Sequence, residues 1–101
     1  MEMSEISRQL TVLNAAGFHV RVASLVSKTA MKYESQITLS RNGYKADCKS
    51  CLDLLAIMAT QGTVLTLVAT GGDAKEAVDR ITFLFDKKFG EDEYSGYDFG
   101  V

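Results

Sequence analysis

Asn42-Gly43 lies between two short runs, Gln36 to Arg41 with Ile37 and Leu39, and Tyr44 to Cys48. Asn-Gly is the strongest short-range hairpin signal, because a type I′ turn needs positive φ at both central residues. The two runs are therefore expected as antiparallel neighbours, and this pair constrains everything around it. Arg8 to Leu13 alternates through Leu10 and Val12 and reads as a strand, followed by Asn14-Ala15-Ala16-Gly17 as a loop. From Val20 the period lengthens: Val22, Ala23, Val26, Ala30 and Tyr33 recur at helical spacing, with Arg21, Ser24, Lys28 and Lys32 opposite them.

Ser50 opens a short helix with Asp53 three residues on, a spacing that suggests a capping box. Leu52 to Met58 is apolar nearly all round, more than one core-facing stripe requires, so part of it should be exposed. Thr63 to Thr70 alternates as a central strand closed by Gly71-Gly72. In the last helix Asp73 and Glu76 suggest a second capping box, while Ala74, Ala77, Val78, Ile81, Leu84, Phe85 and Phe89 form one stripe. Phe83 lies opposite that stripe and is expected to be covered by the C-terminal segment with its own Tyr94, Tyr97 and Phe99. The order strand, helix, strand, strand, helix, strand, helix is an α+β pattern, a small, mainly antiparallel sheet with helices on one face.

The chain of 101 residues, 47% hydrophobic and 24% charged, suits one compact soluble domain. No stretch approaches the roughly 20 apolar residues of a membrane span, and Met1-Glu2-Met3-Ser4-Glu5 lacks the order of a signal peptide, so a cytoplasmic protein is expected. The formal net charge is −2, yet Glu91, Asp92, Glu93 and Asp98 concentrate acid at the end, leaving 11 basic against 9 acidic groups in residues 1–90. That excess is too small and scattered for nucleic acid and fits an acidic protein partner better. Residues 90–101, acidic and bearing glycine, are expected to form a mobile tail, and residues 1–7 an extension before a domain spanning 8–89.

His19 is the only histidine. At the first turn of a helix it faces unpaired backbone N–H groups and the positive end of the helix dipole, which favour a bound anion and a neutral, nucleophilic ring. With Arg21 close by, this is what reversible phosphorylation on a ring nitrogen needs; a plain capping or surface histidine is the alternative reading. Cys48-Lys49-Ser50-Cys51 raises a competing one, because Cys-x-x-Cys at a helix start suits thiol redox chemistry. The strand order lacks a thioredoxin unit, however, and the chain has no proline. No metal site or cofactor is expected: two cysteines and one distant histidine are too few ligands.

Asn14 to Gly17 with Phe18-His19-Val20-Arg21, Lys49-Ser50 opening the short helix, Gly62-Thr63 leading into the last strand, and Gly71-Gly72-Asp73-Ala74-Lys75-Glu76-Ala77 stand in order. In these pieces the chain resembles HPr, the histidine-containing phosphocarrier family of the bacterial phosphoenolpyruvate-dependent phosphotransferase system. The resemblance runs from about Arg8 to Phe89 and implies an open-faced βαββαβα sandwich, a four-stranded sheet with three helices on one face. It further implies that His19 accepts phosphate on Nδ1 from phosphorylated enzyme I and hands it to an enzyme IIA component, in sugar uptake or a regulatory branch. The phosphate would be cradled by the N–H groups of Val20 and Arg21, with Arg21 as a charged donor. By the same resemblance Phe18, Ser24, Lys28, Lys49, Cys51, Leu52 and Leu55 would meet those partners. Ser50, itself a preferred N-cap residue, would be the target of an HPr kinase/phosphorylase in a regulatory alternative. A monomer is the default. Val22 stands where the family carries proline, Val20 is bulkier than the usual residue, and Asp53 places an acid in the apolar patch.

Overall fold

The computed structural model describes residues 4–91. Strand β1 (Ser4–Thr11) is followed by α1 (Val20–Ala30), β2 (Gln36–Arg41), β3 (Tyr44–Asp47), α2 (Cys51–Ala56), β4 (Val64–Gly71), α3 (Ala74–Asp86) and a single 3-10 turn, Lys88–Gly90. The sheet has the order β1-β4-β2-β3, and every neighbouring pair is antiparallel. The Asn42-Gly43 turn forms as its composition demands, with φ of 50° and 87°.

Alternation decides which face of the sheet is covered. In register, Leu10 pairs with Leu65 and Leu39 with Leu67. These side chains, with Ile37, Ala46 and Ala69, are buried against Val22, Ala23 and Val26 of α1, Leu54 of α2, and Ala77, Val78, Ile81 and Phe85 of α3. The opposite face presents Glu5, Gln36, Thr38, Ser40, Lys45 and Thr70 around a shallow depression. One apolar and one polar face make this an open-faced α+β sandwich.

Several boundaries differ from the sequence expectation. β1 begins at Ser4 rather than Arg8, because Ser4 to Ser7 pair with Gly71 to Val68 through the main chain, with Ile6 packed against the core. Helix α3 stops at Asp86, and Phe89, expected on its stripe, is buried from a left-handed position with φ 56° and ψ 30°. The Asp73–Glu76 capping box is not made. Asp73 is the N-cap residue without a side-chain capping bond; its carboxylate instead accepts from Glu34 N–H at 2.9 Å, Ser35 N–H at 3.0 Å and Ser35 Oγ at 2.5 Å. The Ser50 cap is half of a box: Ser50 Oγ accepts from Asp53 N–H at 3.2 Å, while Asp53 Oδ2 accepts from Asp47 N–H. Phe83 is exposed, with Arg80 and Lys87 over its ring; of the 90–101 tail expected to cover it, residues 92–101, with Tyr94, Tyr97 and Phe99, lie outside the described residues.

Candidate functional site

The loop before α1 is held from three sides. Gly17 adopts φ +73°, and a Cβ there would lie 2.7 Å from the Ala59 carbonyl oxygen, so only glycine fits. The same carbonyl accepts from Phe18 N–H at 2.9 Å. Asn14, buried, donates from Nδ2 to the Gly17 carbonyl at 2.8 Å. Phe18, 7% exposed, packs with Phe85 and Phe89 at ring separations of 5.9 and 5.7 Å. Its expected place at a partner surface is therefore corrected: the ring anchors the loop from inside.

His19 follows as the N-cap residue of α1, in extended conformation and with no side-chain capping bond, so its imidazole is left to bond elsewhere. Its carbonyl accepts from Ala23 N–H at 2.9 Å. As at any helix start, the first N–H groups, those of Val20, Arg21 and Val22, have no intrahelical acceptor. Val22, in the position of the family proline, is fully buried and packs into the core.

Glu91 completes the arrangement. Its Oε2 lies 2.7 Å from His19 Nε2, 3.1 Å from Arg21 Nε and 2.5 Å from Arg21 Nη2, and its Oε1 accepts from Asn14 Nδ2 at 3.0 Å. Arg21 Nη2 also donates to the Phe89 carbonyl at 2.9 Å. Burial would raise the Glu91 pKa, but the bonds from Arg21, then Asn14 and His19, outweigh it and hold the carboxyl below its ordinary value. The sequence reading placed Gly90 and Glu91 in a mobile tail. Gly90 instead closes the 3-10 turn and Glu91 is 8% exposed inside the site. Asn14 and Glu91 were missed as site residues, since nothing local in the sequence joins them to His19.

The remaining expected positions spread along one side of α1 and α2. Val20, Arg21, Ser24, Leu25 and Lys28 line a shallow depression on α1. Leu52 is 79% exposed and Val20 64%, whereas Cys51 and Leu55 are half-buried. Lys49 is tied down by donating from Nζ to the Tyr33 carbonyl at 2.7 Å. Ser50 is occupied as the cap of α2. Both cysteines are free thiols. Burial first, then the Asp47 charge, pushes the Cys48 thiol up to about 12, opposite to the acidified thiol that redox chemistry requires. Among the described residues no group of three or more His, Cys, Asp or Glu could hold a metal ion, and no helix is long and apolar enough to cross a membrane.

An antiparallel open-faced sandwich with one imidazole at the start of its first helix is the arrangement that the resemblance to histidine phosphocarriers implies. The family model described as PTS HPr component phosphorylation site matches residues 6–87. The phosphocarrier protein HPr of Cupriavidus necator is 34% identical over 88 residues, covering 87% of this chain and 99% of that one. The phosphocarrier protein NPr of Shewanella violacea is 36% identical over 89 residues, covering 88% and 98%. A crystal structure of HPr-C-His from Thermoanaerobacter tengcongensis superposes with a TM-score of 0.83 at 33% identity, over 86% of this chain and 98% of that one. The chain belongs to the HPr family of phosphotransferase-system phosphocarriers.

Proposed function

We propose that this protein accepts a phosphoryl group from phosphorylated enzyme I on Nδ1 of His19 and passes it to an enzyme IIA component. The observation that carries the reading is the placement of the sole imidazole at the N-terminus of α1 beside Arg21, with Nε2 engaged by Glu91 and Nδ1 bonded to none of the described residues. A phosphoryl group on Nδ1 would meet the positive end of the helix and the N–H groups of Val20 and Arg21. Arg21 Nη1, bonded to none of the described residues, is the guanidinium nitrogen left to reach it. Exposed Leu52 and half-buried Leu55 and Cys51 on α2, with exposed Val20 and the basic Arg21 and Lys28 on α1, suit a docking surface for both partners.

Intact mass after incubation with phosphoenolpyruvate and enzyme I from the same organism tests this. One acid-labile phosphate that vanishes in His19→Ala supports carriage by His19. No adduct, with enzyme I active on an authentic HPr, overturns it. A regulatory reading rests on Ser50, which caps α2 two residues before the exposed Leu52: phosphate there would place negative charge on the docking side.

A further inference from the structure

We propose that Arg41 and Tyr44, the two residues that flank the Asn42-Gly43 turn, are positioning residues for partner docking: they hold α2 preformed, so that neither enzyme I nor enzyme IIA has to order it on binding. This rests on the carrier reading and the docking surface proposed above, and it goes beyond them by giving the β2–β3 hairpin a part in the encounter.

Helix α2 needs support from outside itself. It has six residues, Cys51–Ala56, of which Leu54 alone is fully buried, and helices this short are not stable by their own propensity. Its last turn carries no basic residue, although unpaired carbonyls and the negative end of the helix dipole gather there. The chain also tightens at that end. Ile57 N–H donates to the Leu54 carbonyl and Met58 N–H to the Leu55 carbonyl, each at 3.2 Å.

The hairpin supplies what the helix lacks. Arg41 ends β2, Tyr44 begins β3, and the two pair directly across the turn, so their side chains share one face of the sheet. It is the face of the buried Leu39 and Ala46, two residues away along each strand, and therefore the face that carries the helices. Arg41 Nη1 donates to the Ile57 carbonyl at 3.0 Å and to the Met58 carbonyl at 2.9 Å. Tyr44 Oη donates to the Asp53 carbonyl at 3.0 Å, and Asp47 N–H to Asp53 Oδ2 at 3.1 Å. Arg41 thereby sets a cation at the C-terminal end of α2 and restrains Met58, whose φ of +54° costs a residue with a side chain free energy unless its surroundings hold it. Leu52, 79% exposed, and Met58, 74% exposed, lie within and just beyond this clamped segment. A partner that covers them meets a backbone already fixed and avoids the entropy cost of ordering it.

Amide hydrogen exchange, read beside enzyme I kinetics with this protein as the varied substrate, tests the proposal. In Arg41→Ala the amides of residues 54–58 should exchange roughly tenfold faster, while those of β1 and β4 keep their rates, which excludes global unfolding as the cause. KM for phosphoryl acceptance should rise roughly 3- to 10-fold, the scale of one or two hydrogen bonds, with kcat unchanged. Tyr44→Phe, which removes one hydroxyl and no charge, should act in the same direction more weakly, and Arg41→Lys should restore part of the wild-type KM. A KM that rises without faster exchange in residues 54–58 overturns the proposal, since Arg41 would then touch the donor itself. Faster exchange with no change in KM overturns it too, as does a loss confined to kcat. A wild type that accepts no phosphoryl group from an enzyme I active on an authentic HPr overturns the carrier reading instead, and the docking role with it.

Discussion

Gly17 stands so close to Ala59 that a Cβ on it would lie 2.7 Å from the Ala59 carbonyl oxygen and 3.2 Å from Thr60 Cα. Both neighbours are backbone, and the carbonyl already accepts from Phe18 N–H, so neither can yield without moving the loop that aims His19. The α2–β4 connection is thus the floor on which the loop that carries His19 rests.

Gly17→Ala should therefore do more than strain one residue. The left-handed φ alone costs an alanine about 1 kcal/mol, and the clash adds displacement of the Phe18 N–H bond. A urea midpoint corresponding to a loss of roughly 2 kcal/mol is expected. Phosphoryl acceptance should fall at least tenfold, with the fold retained by circular dichroism.

Asp73 makes the stability of the β4–α3 corner depend on pH. The Ser35 hydroxyl first, and then the Glu34 N–H, hold its carboxyl below the ordinary range; Glu91 is held down likewise by Arg21, Asn14 and His19 against the opposing effect of burial. A depressed folded-state pKa contributes stability that is present above the unfolded value, about 4 for carboxylates, and is lost as pH falls through the folded value. Urea midpoints measured from pH 7 down to pH 3 should stay level and then drop below about pH 4.5. Asp73→Asn should start lower at pH 7 and lose part of that acid slope; a slope equal to the wild type's would count against the Ser35 and Glu34 contacts as its source.

The thiols answer the redox alternative separately. Cys48 is fully buried, with its thiol pushed up to about 12, while Cys51 is half-buried at the start of α2. Since the thiolate is the reactive form, iodoacetamide at pH 8 should add one label to the folded protein, at Cys51, and a second only in denaturant. Rapid labelling of both, or a disulfide formed by mild oxidant without loss of structure, would restore a redox role.

The elements that could be read from the sequence are those fixed by local chemistry. Asn42 and Gly43 both take the positive φ that a type I′ turn needs, a preference these two residue types carry themselves. The stripes of α1 and α3 emerged because burial follows helical period over 11 and 13 residues. Asp73 was misread for the opposite reason: its carboxylate had a choice between its own helix and the N–H groups of residues 34 and 35, and the distant donors won. The site was half legible. His19 and Arg21 sit in a recognisable loop, but Glu91 reaches His19 across 72 residues of sequence. Its neighbours Gly90, Asp92 and Glu93 have the composition of a solvated tail, and only the left-handed turn at 88–90 carries Glu91 inward.

Leu52 tests the docking side without disturbing the core. At 79% exposure its side chain contributes little to folding, so Leu52→Glu should shift stability by less than about 0.5 kcal/mol. An apolar side chain held out in water is useful when a partner covers it, and a carboxylate there would be desolvated on binding and repelled by an acidic partner. Acceptance from enzyme I at subsaturating concentration should fall roughly tenfold, the equivalent of about 1.4 kcal/mol, and recover as the donor is raised to saturation. The His19 ring spectrum should be unchanged, because Leu52 makes none of the polar contacts to His19, Arg21 or Glu91. A loss that persists at saturating donor would mean the substitution reaches the chemistry itself, and the docking role of this face would be wrong.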